Sequence, residues 1–244
     1  MGTVKYILRT IWALWVGVWF ALVVLVFTPI YAIILGMFGR KYAMHLIWIN
    51  CHYLSPFLLA MGLVRYRVHG IENIDTKGTY VHVANHTTAI DILLTASAMP
   101  QPMKFLAKME IKKMPMFGYM VQMLAIMVDR KSEESRKKSL LYMVQELKQG
   151  NSILLYPEGT RNRTDAPLKD FKDGAFRTAI MAQVPIAVQT TVGAKALNPT
   201  QGLQLSPGTV DIYWGKPIPT TGMTIEDVER LKEIVRQEML SHLS

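Results

Sequence analysis

The sequence predicts an α/β fold, a mixed and largely parallel sheet covered by helices over 64–244, preceded by an N-terminal membrane-associated helical pair over 1–63. Three observations predict it. Thirty residues, Thr10 to Gly39, carry no charge at all, and about 20 apolar residues are enough for a helix to span a bilayer. From about Arg65 onward, short β-like runs alternate with helical segments, the pattern of a sheet with helices packed on it. The length, 244 residues, suits one α/β domain of ordinary size rather than two.

The first apolar run is too long for a cleaved signal peptide, and Pro29 stands where a small-residue cleavage site belongs. Gly36-Met-Phe-Gly39-Arg40-Lys41 reads as a turn. A second charge-free stretch, Tyr42 to Val64, follows, with His45 and His52 on one helical face and Pro56 expected to kink it. Spacing alone leaves open whether the pair crosses the bilayer or re-enters it.

Strands are predicted near 64–69, 80–84, 104–107, 125–129, 152–156, 186–189 and 210–214. Helices are predicted near 89–98, 116–123, 133–149, 171–183 and 225–243. The best-marked helix has Ser132 as N-cap, Glu133 and Glu134 in its first turn, and Gly150 as its stop. The last opens on a capping box, Thr224-Ile-Glu-Asp227.

Composition narrows the function. Half the residues are hydrophobic and 18% are charged, which excludes a disordered tail. One cysteine, Cys51, makes no internal bridge and no CxxC metal site, in keeping with a reducing compartment. The net charge is +9. Two thirds of that excess is Lys5, Arg9, Arg40, Lys41, Arg65 and Arg67, with no acid before residue 72. Bases that bracket apolar segments suit an anionic membrane surface at about 1 kcal/mol each; nucleic acid is not an expected partner.

The chemistry concentrates at predicted strand ends. Tyr80-Val-His-Val-Ala84 leads into Asn85-His86-Thr-Thr-Ala-Ile-Asp91. With Thr88 as N-cap, Asp91 falls at the third helical position and points back to the turn that carries His86. The two then pair as base and orienting carboxylate. Thr88-x-x-Asp91 is equally a capping box in its own right. A second strand ends in Tyr156-Pro-Glu-Gly-Thr-Arg161, with Pro157 and Gly159 placed as in a type I turn and Arg161 and Arg163 beyond it. Arginine's fork suits bidentate phosphate binding. Arg130 also follows a predicted strand, so three strand ends deliver a histidine and several arginines to one rim.

Taken together these residues resemble the glycerolipid acyltransferases, and most nearly their 1-acyl-sn-glycerol-3-phosphate branch. Asn85-His86-Thr-Thr-Ala-Ile-Asp91 resembles the NHxSxxD box, with Thr88 where serine is usual. Arg130 resembles the arginine of the second box, Tyr156-Pro-Glu-Gly-Thr-Arg161 the third, and Val184-Pro185-Ile186 the fourth. The likeness covers about 79–240. It implies transfer of a fatty acyl chain from acyl-CoA or acyl-ACP to the sn-2 hydroxyl of 1-acylglycerol 3-phosphate (lysophosphatidate), giving phosphatidic acid for phospholipid synthesis. His86 and Asp91 would be catalytic. Arg130, Glu158, Gly159, Thr160 and Arg161 would hold the acceptor's phosphate and glycerol. No metal and no cofactor beyond the thioester co-substrate are expected; acyl carrier protein is one of two carriers left open. The implied location is a membrane, the bacterial inner membrane, with the site facing the cytoplasm.

Alternatives remain at this stage. The acceptor is open between lysophosphatidate, glycerol 3-phosphate and another lyso-lipid. A non-enzymatic membrane lipid-binding protein explains the apolar arm but not the His86, Asp91 and arginine set. A metal hydrolase rests on the H-x3-H spacing of His82 and His86, which suits a helix, whereas Tyr80–Ala84 reads as strand. Eight of the sixteen methionines fall in 99–127, as core filler or as an adaptable lining for an acyl chain.

Overall fold

The computed structural model describes residues 3–129, 131–199 and 203–243. The described residues hold seven strands: β1 (Val64–His69), β2 (Val81–Ala84), β3 (Met103–Lys108), β4 (Ala125–Val128), β5 (Ser152–Leu155), β6 (Ile186–Val192) and β7 (Gly208–Trp214). Each overlaps a run predicted from sequence. They form one sheet in the order β1-β7-β6-β2-β5-β3-β4. The pairs β2–β5, β2–β6, β3–β4 and β3–β5 are parallel. Five neighbouring strands therefore end on one edge of the sheet, where open α/β sheets carry their sites.

The helices are α1 (Thr3–Met61), α2 (Asp91–Ser97), α3 (Phe117–Leu124), α4 (Glu133–Lys148), α5 (Gly174–Ala182), a short α6 (Ala194–Leu197) and α7 (Val228–Leu243). Within α1 the departure from helical torsions is at Gly39, with φ 79° and ψ 176°. That region is open to glycine because it has no Cβ, so two helical runs meet there, inside the turn expected at 36–41. The stretch around Pro56, where a kink was expected, keeps helical torsions. Thr3–Gly39 is the helix long and apolar enough to cross a membrane among the described residues.

The chain divides into two compact units. One comprises Met1–His69, Thr87–Met99 and Thr191–Ile212; the other comprises Gly70–His86, Pro100–Thr190 and Tyr213–Ser244. In the first, a core of Ala13, Val16, Leu59, Leu94, Val210 and Ile212 joins α1, α2 and β7. The indole N–H of Trp12 donates to the Gly62 carbonyl at 2.9 Å.

In the second unit, strand alternation sorts the two faces of the sheet. Val81 and Val83, Ile153 and Leu155, and Ile186 and Val188 point into a core with Met143 and Leu147 of α4, Phe176 and Ala179 of α5, and Leu231 and Val235 of α7. Period-2 patterning puts His82 and Ala84 on the opposite face. Helix α4 starts as its caps predict, with Ser132 Oγ accepting the Ser135 N–H at 3.1 Å. Helix α7 follows a short 3-10 turn bearing the Thr224–Asp227 capping box.

Helices α2 and α5 also start later than the sequence suggests, at Asp91 and Gly174. Ahead of α5 the Lys172 N–H donates to the Pro157 carbonyl at 2.8 Å, and ahead of α2 the Ala89 N–H donates to Asn198 Oδ1 at 3.0 Å.

Candidate active site

The register of β2 on β5 brings two of the predicted loops together. Val83 lies opposite Leu155. His86 follows three residues after the one, and Tyr156 directly after the other. The β5 chain then turns, with the Gly159 N–H donating to the Tyr156 carbonyl at 3.0 Å. Gly159 has φ 73°, a left-handed conformation that strains any residue with a Cβ.

This turn grips His86 at three points. Glu158 Oε1 accepts the His86 N–H at 2.8 Å. The Asn162 N–H donates to the His86 carbonyl at 2.6 Å. The Tyr156 ring stacks on the imidazole, with centroids 4.2 Å and planes 22° apart. His86 itself is half-buried: its backbone is fixed while its ring remains within reach of a bound molecule.

Glu158, grouped by the resemblance with the phosphate-holding residues, is 2% exposed. Its second oxygen, Oε2, accepts the Lys169 N–H at 3.0 Å. Burial pushes its carboxyl above the usual carboxylate range, and the N–H groups of His86 and Lys169 pull only part of that back. Thr160 Oγ1 accepts from the Lys169 ammonium at 2.9 Å. Arg161 and Arg163 are exposed. Arg130 lies outside the described residues; just before it, Ser135 Oγ accepts the Asp129 N–H at 3.0 Å.

Asp91 sits in the other unit at the start of α2 and is 1% exposed. Its Oδ2 accepts the N–H groups of Thr87 at 2.6 Å and Thr88 at 2.7 Å. Its Oδ1 accepts the Thr88 hydroxyl at 2.8 Å. The carboxylate therefore ties down the two residues that immediately follow His86 in the chain. Thr88 is not the N-cap expected from the sequence: α2 begins at Asp91 itself, after Ile90 and without a side-chain cap, because the Thr88 hydroxyl donates to the Asp91 carboxylate instead of accepting a helical N–H.

His82, four residues before His86, is fully buried on β2. Its ring lies against Tyr80 and Trp214, at 5.5 and 5.4 Å between centroids, and Nδ1 has no hydrogen-bond partner. His82 lies within β2, whereas His86 lies in the loop beyond its end at Ala84. Among the described residues no cluster of three His, Cys, Asp or Glu side chains is placed to hold a metal ion.

Sequence reasoning did not single out Asn162 or Lys169. Asn162 is 2% exposed; its Oδ1 accepts the Thr164 N–H at 3.0 Å and its Nδ2 donates to the Ala166 carbonyl at 2.8 Å. The Asn-x-Thr spacing is the signal of an Asx turn, and it was available in the sequence.

Residues 65–189 match the family model described as Acyltransferase, a span that holds His86, Asp91 and the whole 156–161 turn. The putative 1-acyl-sn-glycerol-3-phosphate acyltransferase acl-2 of Caenorhabditis elegans is 30% identical over 206 residues, covering 83% of this chain and 70% of that protein. The human 1-acyl-sn-glycerol-3-phosphate acyltransferase alpha is 29% identical over 180 residues, 73% of this chain and 63% of that one. Against the chloroplast relative BAT2 of Brassica napus the chain spans 44% of the relative's length, at 33% identity over 62% of its own. The fold matches the crystal structure of the 1-acyl-sn-glycerophosphate (LPA) acyltransferase PlsC from Thermotoga maritima, with a TM-score of 0.83 over 96% of this chain and 94% of that one, at 22% identity. With a histidine box and an arginine turn on adjacent strand ends, inside the matched span, this chain belongs to the acyltransferase family.

Proposed function

We propose that the chain moves a fatty acyl group from an acyl thioester, acyl-CoA or acyl-ACP, to the sn-2 hydroxyl of 1-acylglycerol 3-phosphate, giving phosphatidic acid for phospholipid synthesis. The observation that carries this reading is the grip of the 156–162 turn on His86. It joins an imidazole able to accept a proton to the loop whose exposed guanidinium suits a phosphate. The names of the relatives support the acceptor.

In this mechanism the imidazole of His86 takes the proton from the acceptor hydroxyl as its oxygen bonds to the thioester carbonyl carbon. The C–S bond breaks, the electron pair leaves with sulfur, and the imidazolium returns the proton to the thiolate. The products are an ester and a free thiol, and no residue is acylated. Base catalysis of this kind contributes on the order of 10²–10⁴ in rate. Asp91 orients the base and holds the chain that follows it. Arg161, with Arg130, binds the phosphate, and Gly159 and Thr160 shape the turn beside the glycerol. Glu158 acts chiefly through the His86 backbone, since both its oxygens are spent on N–H groups and a carboxylate facing a phosphate would repel it.

The arm over 1–63 is the membrane anchor in this reading. Along Thr3–Gly39, side chains such as Val18 (56% exposed), Leu25 (56%) and Ile33 (60%) are uncovered. An apolar surface of that extent is stable against lipid rather than water. The bases around it suit an anionic cytoplasmic leaflet such as that of the bacterial inner membrane, the side on which thioester donors are found.

The test is direct. Full-length protein in detergent micelles is given labelled acyl-CoA and acyl-ACP with lysophosphatidate, glycerol 3-phosphate and other lyso-lipids, and the products are identified. Phosphatidic acid as the dominant product is expected. Faster acylation of any other acceptor overturns the assignment.

A further inference from the structure

The turn that carries Arg161 also supplies a ring to His86. Tyr156 comes first in that turn and lies, half-buried, against the equally half-buried imidazole, the rings near-parallel at 4.2 Å. Glu158 and Asn162 hold the His86 main chain, and side chains settle among rotamers that their neighbours allow. A flat phenol on one face removes part of that freedom.

The contact also distinguishes between the two charge states of the imidazole. The face of an aromatic ring carries partial negative charge and attracts a cation. In the proposed mechanism the hydroxyl proton passes to His86 in the transition state, so the attraction is stronger there than toward the imidazole that receives it. An interaction stronger in the transition state than in the ground state raises kcat.

We propose that Tyr156 is a positioning residue for acyl transfer. Its ring holds the imidazole of His86 square to the acceptor hydroxyl and favours the imidazolium as it forms. This rests on the reading of His86 as the base. Because Tyr156 acts through His86, its removal lowers kcat and leaves both KM values nearly unchanged.

The experiment compares Tyr156→Leu, Tyr156→Met and Tyr156→Phe in full-length protein, with His86→Ala alongside and thermal unfolding measured for each. Loss of the plate in Tyr156→Leu and Tyr156→Met lowers kcat about tenfold, the size expected of an aromatic contact of about 1.4 kcal/mol. Tyr156→Phe, which keeps the plate, stays within about threefold of wild type. Wild-type kcat in Tyr156→Leu overturns the proposal. So does an equal loss in Tyr156→Phe, which assigns the effect to the hydroxyl, or a change confined to KM, which makes Tyr156 a substrate contact. If Tyr156→Leu melts early, Tyr156→Met decides; unfolding of both gives the ring a structural part and overturns the proposal too. Full turnover in His86→Ala defeats the base assignment itself and is read separately.

Discussion

His82 and His86 leave the same strand four residues apart and meet opposite surroundings. His82 lies inside the sheet, fully buried, between the rings of Tyr80 and Trp214. Burial pushes its imidazole down to about 3, so it stays neutral at any ordinary pH. His86 lies just past the strand end, half-buried, its backbone held by Glu158 and Asn162 and one face stacked on Tyr156. The residue type is identical; the end of the strand decides which ring is enclosed and which is partly open to solvent. In the proposed mechanism the open one exchanges a proton with the acceptor, whereas enclosure makes a packing residue.

That contrast can be broken at its strong end first. His86→Ala should lower kcat by about three orders of magnitude, within the range for loss of a general base, while unfolding and sedimentation with lipid stay as in wild type. Turnover near the wild-type rate would refute the role of His86. Next, Glu158→Ala strips the acceptor from the N–H groups of His86 and Lys169, each costing roughly 1–3 kcal/mol when left unsatisfied. A displaced base costs about a hundredfold in kcat, so kcat should fall to that extent and the unfolding midpoint should drop with it. A purely raised acceptor KM would instead make Glu158 a substrate contact. Arg161→Ala should raise the KM for the phosphorylated acceptor about tenfold, the lower end for loss of a charge-assisted bond, with kcat and the thioester KM little changed. An effect confined to the thioester would remove the phosphate assignment.

The sequence carried the parts of the molecule that local rules govern. All seven strands were legible because each is a short apolar or β-branched run set between helical segments, and α4 because Ser132, the two glutamates and Gly150 are all close in sequence. The break at Gly39 was legible from Gly36-x-x-Gly39; around Pro56 the backbone torsions stay helical. The contacts just ahead of α2 and α5, Ala89 with Asn198 and Lys172 with Pro157, were illegible because their partners lie far away in sequence. The buried ion pair of Lys104 on β3 with Glu146 on α4 was illegible for the same reason, its partners 42 residues apart. At the site, His86 and the 156–161 turn stood out as residue types. The holding of His86 by Glu158, Asn162 and Tyr156 did not, because it depends on β2 lying beside β5, and strand order is a property of the whole sheet.

The weak end of the contrast gives the smallest effect on turnover and the clearest one on stability. His82→Leu should leave kcat within about twofold, because its ring faces the interior and not the strand end. Its signature lies in pH. An exposed imidazole in the unfolded chain titrates near 6.5, and the folded one near 3. Between those values the unfolded chain binds a proton that the folded chain refuses, so stability falls as pH falls, by roughly 1.4 kcal/mol per unit. Above about pH 6.5 the group contributes no slope. Denaturant unfolding at pH 7.5 and pH 5.0 should therefore show wild type losing about 2 kcal/mol more than His82→Leu over that interval. Equal losses in the two proteins would mean that His82 accepts a proton while folded, and the division between the histidine enclosed on β2 and the one just past its end would no longer hold.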